Sequence, residues 1–90
     1  MSDSDSRAIV TDVRAIRETL ARNLRREREA AGYSQQALAA ACLIGRNTIS
    51  RIERGEHEPR IATLVGFSLA LDVPLCDLLV GLHSAKVACD

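Results

Sequence analysis

The 90-residue chain has almost no aromatic side chains, with one Phe, one Tyr and no Trp. Aromatic residues favour strands, whereas Ala and Leu favour helices, and here Ala (13 residues) and Leu (11 residues) dominate. The length fits one small domain, near the lower limit at which a single core stabilises a chain. The composition therefore predicts an all-α domain of short, closely packed helices.

Cysteine and long apolar runs are also scarce. The three cysteines are odd in number and lack metal-ligand spacing, so neither a disulfide framework nor a metal site is expected. No apolar run approaches the length that crosses a membrane. We expect a cytoplasmic protein without cofactor or metal, in which Cys42 and Cys76 are small core residues and Cys89 is an incidental exposed thiol.

Net charge is absent, because 12 basic residues balance 12 acidic ones. The distribution is uneven: residues 17–60 hold nine arginines and six glutamates, whereas the flanks hold three basic and six acidic residues. The neutral total can therefore hide a basic face, although the acidic residues could equally neutralise it.

The parts of an active site are missing from the sequence. No paired carboxylates lie in an apolar pattern, no Ser, His and Asp spacing suggests a triad, and no Gly-rich loop follows a strand. His57 and His83 are lone histidines without a partner pattern. The sequence therefore does not predict an enzyme.

Apolar residues recur every three or four positions over residues 9–31, which predicts an amphipathic first helix. Periodicity leaves open whether this is one helix or a short helix followed by a longer one. Gly32 ends it, and Ser34 is placed to cap a second helix. We expect residues 1–8, which are polar and acidic, to form a disordered N-terminus.

Three more helices follow the break at Gly45. The third begins at Arg46 and ends before Gly55, and the fourth, over residues 61–71, is apolar around most of its girth and is expected to be central. Residues 84–90 form a tail that is too short and mixed to assign. The fifth helix places four leucines at i, i+3, i+4 and i+7, namely Leu75, Leu78, Leu79 and Leu82.

The second and third helices, joined by about four residues within 34–55, have the arrangement of a helix-turn-helix. Their corner, residues 42–45, is apolar, which would let the two helices pack at a fixed angle. The outer face of the third helix is polar and free to enter a major groove, where Arg bonds a guanine edge and Asn an adenine edge. The candidate base-reading residues on that face are Arg46, Asn47, Ser50 and Arg51.

This pattern resembles the Cro/C1-type (XRE-like) helix-turn-helix regulators, a family that includes phage repressors and restriction–modification controller proteins. The resemblance covers about residues 20–82. Its most specific parts are Gly32, SQ at 34–35, LA at 38–39, TISRIERG at 48–55, Pro59 and LALDV at 69–73. It implies a five-helix lambda-repressor-like DNA-binding domain over residues 9–83, with an N-terminal helical extension and double-stranded DNA as the partner.

The resemblance also assigns roles outside the base-reading set. Arg28 and Glu53 correspond to a pair that, in some members, forms an ion pair between the first and third helices, so both are counted as structural. Gln35 corresponds to the family's phosphate-clamping glutamine, at a helix N-terminus that favours anions. The other implied phosphate contacts are Gln36, Thr48, Arg54 and Arg60.

The chain departs from the family pattern in three places. Leu43 stands where the family usually has Gly, so a left-handed backbone there would cost about 1 kcal/mol. Gly45 replaces the Ser or Thr that often caps the recognition helix, which costs roughly a few tenths of a kcal/mol. Glu56 and Glu58 place negative charge in a loop expected to approach the DNA backbone.

The leading hypothesis is a sequence-specific transcriptional regulator, repressor or activator, that binds a palindromic operator as a homodimer. In the family the fifth helix is a common dimer surface; the alternative is that its four leucines all pack on the fourth helix. A two-fold dimer would set the recognition helices about 34 Å apart, one turn of DNA. A second hypothesis is a protein-interaction module, such as an antitoxin-like partner, that binds through the N-terminal helix or the C-terminal tail.

Overall fold

The computed structural model describes residues 9–88 of the chain, so the disorder expected for residues 1–8 lies outside the described range. Five α-helices and a short 3₁₀ helix, Leu82–Ala85, form this part of the molecule. The α-helices are α1 (Val13–Ala30), α2 (Gln35–Cys42), α3 (Arg46–Glu53), α4 (Ile61–Leu71) and α5 (Leu75–Leu78). The predicted all-α class with five helices is confirmed.

Two short strands, β1 (Ile9–Thr11) and β2 (Lys86–Ala88), pair antiparallel. The apolar periodicity predicts a helix from about residue 9, but α1 begins at Val13, because the Asp12 carboxylate accepts a hydrogen bond from the Ala15 backbone N–H at 3.2 Å and caps the helix. The predicted C-terminal tail likewise contains β2. The two ends of the described range therefore meet in one small sheet.

The core lies where α1, α2, α3 and α4 meet. Its most buried large side chains, all under 2% exposed, are Phe67, Leu38, Ile49, Ile52 and Leu78. Burial of apolar surface contributes about 25 cal/mol per Å². These contacts hold the second and third helices against the other elements.

α4 is buried on one face only, which corrects the expectation of a central helix. Its core-facing residues are Leu64, Phe67 and Leu71. Its opposite face exposes large apolar side chains, namely Ile61 (64%), Leu69 (77%) and Val65 (41%). A pattern that is apolar around most of the helix therefore did not mean burial on every side.

The fifth helix is shorter than predicted, since α5 ends at Leu78 and Leu82 belongs to the 3₁₀ helix. Leu78 is 1% exposed, so its assignment to a dimer surface is wrong. Leu75, Leu79 and Leu82 are half-buried and pack against the core. These three keep some surface for a second molecule, whereas Leu78 has none.

Asn23, a residue that the sequence pattern does not single out, ties α1 to the segment after α4. Its amide nitrogen donates to the carbonyl oxygens of Leu78 at 2.8 Å and Val80 at 2.9 Å. Its amide oxygen accepts from Arg26 Nη1 at 3.1 Å. Because Asn23 is only 4% exposed, these bonds satisfy a buried amide and fix where α5 ends.

Cys42 is half-buried, and burial raises the pKa of its thiol. Cys76 is exposed, so the expectation of a core residue is wrong for it; Cys89 lies outside the described residues. Within residues 9–88, no cluster of His, Cys, Asp and Glu is arranged to hold a metal ion. Of the helices described, none has the length and apolar character needed to cross a membrane.

Leu43 provides a test of backbone strain. It caps α2 in the left-handed region (φ 58°, ψ 40°), and its side chain is 92% exposed, so little packing offsets the strain. We expect Leu43→Gly to raise the free energy of unfolding by about 1 kcal/mol, measured by urea denaturation. Leu43→Ala is the matched control, because it removes the same side chain but keeps Cβ; equal stability of the two variants would contradict the strain.

Candidate nucleic-acid interface

α2 and α3 form the two arms of a helix-turn-helix, joined by residues 43–45. Ser34 Oγ accepts a hydrogen bond from the Ala37 backbone N–H at 3.0 Å, which confirms the predicted cap of α2. Gly45 precedes α3 without a side-chain cap. The chain thus enters α3 at its exposed end with free backbone N–H groups.

Buried side chains fix the angle between the two arms. The three that lie at this contact, Leu38, Ile49 and Ile52, are at most 1% exposed. In the corner itself, Ile44 is half-buried against the core, while Leu43 lies in solvent. The apolar corner therefore contributes less to the angle than its composition suggests, and the helix faces contribute more.

Gly55 ends α3 in the left-handed region (φ 74°). A Cβ at this position would lie 3.7 Å from Glu18 Cγ and 3.9 Å from Glu18 Cα, since the turn after α3 runs against α1. Both distances are ordinary van der Waals contacts, so space is not the constraint. The positive φ favours glycine, because an L-residue would be strained there by about 1 kcal/mol.

Three of the predicted base-reading residues, Arg46, Asn47 and Arg51, are exposed on α3. Their spacing of i, i+1 and i+5 places them on one side of the helix. The opposite side carries the buried Ile49 and Ile52. The structure therefore brings these three polar side chains together on the solvent side of a helix that the core holds in place.

Ser50, the fourth predicted reader, is engaged by Arg54. Arg54 Nη1 donates to Ser50 Oγ at 2.6 Å, while Nε and Nη2 donate to the two carboxylate oxygens of Glu56 at 2.9 and 3.1 Å. The hydrogen bond from Arg54 is the main cause that lowers the pKa of Glu56. Arg54, a predicted phosphate contact, therefore has its charge paired within the protein.

Glu53 is the buried charge at the junction of three helices, with its side chain 1% exposed. Arg28 on α1 donates from Nε and Nη2 to the two Glu53 oxygens at 2.6 and 3.0 Å, and from Nη1 to the Tyr33 carbonyl at 2.8 Å. Gln35 on α2 donates to Glu53 Oε1 at 3.0 Å. Arg25 Nε lies 3.6 Å from the same oxygen.

These contacts lower the pKa of Glu53. Burial by itself raises the pKa, but the hydrogen bonds from Arg28 and Gln35 and the charges of Arg28 and Arg25 outweigh burial and leave the pKa below its ordinary value. The hydrogen bond to Glu53 is also the main cause that raises the pKa of Arg28. Both shifts favour the ionised pair, so α3 is held to α1 by charge as well as by packing.

The remaining predicted phosphate contacts differ in placement. Gln35 points its amide towards Glu53 and keeps one amide proton for another acceptor. Gln36 is exposed beside it, and Thr48 is half-buried on α3. Arg60 is exposed at the start of α4, one loop away from the helix-turn-helix.

The contribution of Arg25 is one that the sequence pattern does not reveal. As an arginine on an amphipathic helix, it looks like part of a solvated face, yet its Nη2 lies 3.4 Å from the Glu53 backbone carbonyl in addition to the carboxylate contact. Its spacing from Arg28, three residues on α1, places both on the side that meets α3.

In this helix-turn-helix, the core holds one side of the second helix and the other side is polar and exposed. This arrangement is typical of one class of proteins, the DNA-binding regulator domains. The model of the family Helix-turn-helix (HTH_3) matches residues 24–78. This match covers more than half of the chain, and the chain belongs to this family.

Solved structures of transcriptional regulators also resemble this chain in sequence and fold. A hypothetical transcription factor from Neisseria (NHTF) has 30% identity and a TM-score of 0.71, covering 81% of this chain and 84% of that chain. The restriction–modification controller protein C.AhdI from Aeromonas hydrophila has 28% identity and a TM-score of 0.71, with coverage of 74% and 97%. An HTH_3 family transcriptional regulator from Vibrio cholerae has 31% identity and a TM-score of 0.69; this chain is covered over 76% but spans 38% of that regulator's length.

No curated protein matches the sequence. The family model and the solved regulators confirm the resemblance to Cro/C1-type proteins that TISRIERG and its surroundings indicate. They support a DNA-binding transcriptional regulator and not an enzyme.

Protonation of Glu53 is expected to weaken the fold in acid. Because its pKa is lower in the folded than in the unfolded chain, its stabilisation is complete above the unfolded value of about 4.3 and is lost as the pH falls through the folded value. Urea unfolding across this range should show the loss. Glu53→Gln should remove that part of the pH dependence and cost about 3–5 kcal/mol at neutral pH, since Arg28 is left without its charge partner.

Glu56→Gln is the matched control for Glu53→Gln. It makes the same chemical change at an exposed carboxylate that also pairs with an arginine, and exposed pairs contribute little to stability. A Glu53→Gln variant as stable at neutral pH as Glu56→Gln would contradict the structural role of the buried pair.

Proposed function

We propose that this chain is a sequence-specific transcriptional regulator that binds an inverted-repeat operator as a homodimer. The observation that carries the proposal is the two-sided character of α3. Ile49 and Ile52 hold one side in the core, and Arg46, Asn47 and Arg51 project from the other. The cytoplasmic location stays a prediction that accords with this role.

The exposed residues of α3 have the chemistry of base readers. Arg46 and Arg51 each present a planar fork that fits guanine O6 and N7, and Asn47 presents an amide that fits adenine N6 and N7. At a rise of 1.5 Å per residue, the three positions span about 8 Å along α3. That length corresponds to roughly two or three base-pair steps of about 3.4 Å.

Phosphate contacts would position α3 in the groove. Gln35 and Gln36 begin α2, where the free N–H groups and the helix dipole favour a phosphate. Thr48 and Arg60 are further candidates at the edges of the same region. Arg54 joins them only when it exchanges Glu56 for a phosphate oxygen, because it donates to Glu56 and to Ser50 Oγ in the free protein. The same exchange would release Ser50, which stays a predicted base reader.

One observation favours the second candidate function, a protein-interaction module. The exposed apolar side chains of α4 offer a surface to a protein rather than to DNA. The predicted partner-binding ends are less suited to that role, because residues 9–11 and 86–88 pair with each other. The DNA-binding proposal explains the exposed polar side of α3 and agrees with the family match and the regulator structures. A homodimer would also explain the exposed apolar side chains of α4.

Selection from a random DNA pool tests the proposal directly. The parent chain should recover an inverted repeat whose half-sites are about one helical turn apart. Arg51→Ala should then lose discrimination at one base pair of each half-site by about 1–3 kcal/mol, measured as the ratio of binding constants for the operator and its single-base variants.

Arg22→Ala is the control for Arg51→Ala. It removes an exposed arginine from α1 whose contact is within its own helix, Arg22 Nη2 lying 3.5 Å from Thr19 Oγ1. It should leave the base preference unchanged. If Arg51→Ala distinguishes the operator from scrambled DNA as well as the parent does, Arg51 is not a base reader.

Glu56 is expected to limit the electrostatic part of DNA binding, since it occupies the fork of Arg54. Glu56→Gln should free Arg54 for a phosphate, strengthen binding to operator and unrelated DNA alike, and steepen the slope of log K against log salt by about 1.

Glu58→Gln is the control for that experiment, because Glu58 lies two residues further on, beside a groove between α1 and α4. It removes the same charge without releasing Arg54. An unchanged salt slope for Glu56→Gln, or an equal change in both variants, would show that the ion pair does not restrain Arg54.

A further inference from the structure

The exposed face of α4 carries a stripe of apolar side chains, Ile61, Val65 and Leu69, at i, i+4 and i+8. None of the 11 residues of α4 is charged. A helix that is apolar around most of its surface is normally buried over most of it. The α4 stripe therefore has the character of a contact surface, and the question is what covers it.

A second copy of the stripe is complementary in shape to the first, because its three apolar residues are evenly spaced along α4. When two copies of α4 lie antiparallel about a two-fold axis at Val65, Ile61 faces Leu69 of the partner subunit, and each Val65 faces its equivalent.

The charges at the two ends of α4 complement each other in the same arrangement. Arg60 precedes the helix, its N-terminus has no side-chain cap and no acidic residue in the first turn, and exposed Asp72 follows its last residue. In the antiparallel pair, the partner's Asp72 lies about 3 Å along the axis from Arg60, two residues at 1.5 Å each. There it would meet both the guanidinium and the free N–H groups of the helix end.

The stripe also continues into a groove of about 360 Å³ between α1, α4 and the segment after α4. Ile61 belongs to both, and the groove is lined further by Ile16, Leu79 and Leu82. A stable dimer buries about 1,200–2,000 Å² in total, more than one helix stripe supplies. The rim of the groove adds area next to the stripe, and it includes Leu79 and Leu82, two of the leucines predicted for a dimer surface. Glu58 also lines the groove, so one carboxylate lies at this rim.

From the self-complementary stripe and the end charges, we infer that α4 is the contact with a second copy of this chain, the two helices lying antiparallel and crossing at Val65. This inference rests on the homodimer part of the proposed function. The sequence predicts a dimer interface on the fifth helix, whereas this inference centres the interface on α4 and places the two-fold axis at Val65.

Cysteine cross-linking in the absence of DNA tests the position of the axis. The background is the full chain with Cys42→Ala, Cys76→Ser and Cys89→Ser. In this background Val65→Cys should form a disulfide-linked dimer on mild oxidation, because residues on the axis of two packed helices come within the 4.4–6.8 Å Cα separation that a disulfide needs.

Leu79→Cys in the same background separates this geometry from a dimer centred on the fifth helix. It should remain largely monomeric on a denaturing gel, because the proposed axis does not pass through it. Cross-linking through Leu79→Cys with none through Val65→Cys would overturn the inference.

Sedimentation equilibrium supplies a second readout. Leu69→Glu should abolish the dimer while leaving the circular dichroism spectrum unchanged, and Leu43→Glu, which places the same charge on the similarly exposed Leu43 (92%), should remain dimeric. Asp72→Asn, which tolerates the left-handed backbone at that position (φ 56°), should weaken the dimer about 3- to 30-fold through its two end contacts. Equal association of the Leu69→Glu and Leu43→Glu variants would contradict the inference.

Failure of this inference and failure of the proposed function are distinguishable. A parent chain that sediments as a monomer but selects a defined DNA sequence retains its DNA-reading role and loses the α4 contact. A parent chain that cross-links through Val65→Cys but recovers no sequence from the random pool retains the α4 contact and loses the DNA-reading role.

Discussion

The orientation of α3 depends on one buried carboxylate. Glu53 is 1% exposed, and an ion removed from water to that degree must be paired and hydrogen-bonded. Arg28 and Arg25 from α1 and Gln35 from α2 meet this requirement. Three helices therefore converge on Glu53 in one arrangement, and the apolar contacts of the core reinforce it. The side of α3 that faces solvent follows from this anchoring, and that side is the one with the chemistry to read DNA.

A neutral chain can still present exposed cations on one helix, because its charges are distributed unequally between the interior and the surface. Two acidic residues close to the helix-turn-helix are paired, Glu53 with Arg28 and Glu56 with Arg54, while Glu58 lines the groove beside α4. Arg46 and Arg51 remain exposed on α3. Since phosphate attraction supplies most non-specific binding, a face with few free cations favours base contacts over phosphate contacts. The balanced composition is thus consistent with a selective DNA-binding protein.

Local chemistry made the helix-turn-helix predictable, while long-range contacts decided the rest. The Ser34 cap and the glycines after α1 and α3 act over a few residues, so these boundaries follow from sequence. The start of α1 does not, because residues 9–11 pair with a strand more than 70 positions away. The end of α5 likewise involves a distant residue, because the Asn23 amide, 55 residues earlier, donates to the Leu78 carbonyl. For α4, a pattern without charged residues did not indicate which side faces solvent, so its exposed stripe became visible only in the folded chain.

The most direct test of the account is a structure of the chain bound to the DNA that it selects. We expect α3 to lie in the major groove, with Arg46, Asn47 and Arg51 donating to base edges over about 2.7–3.2 Å and the Arg28–Glu53 pair unchanged from the free protein. A complex in which α3 faces solvent, or in which these three side chains touch no base while the DNA lies against another surface, would contradict it.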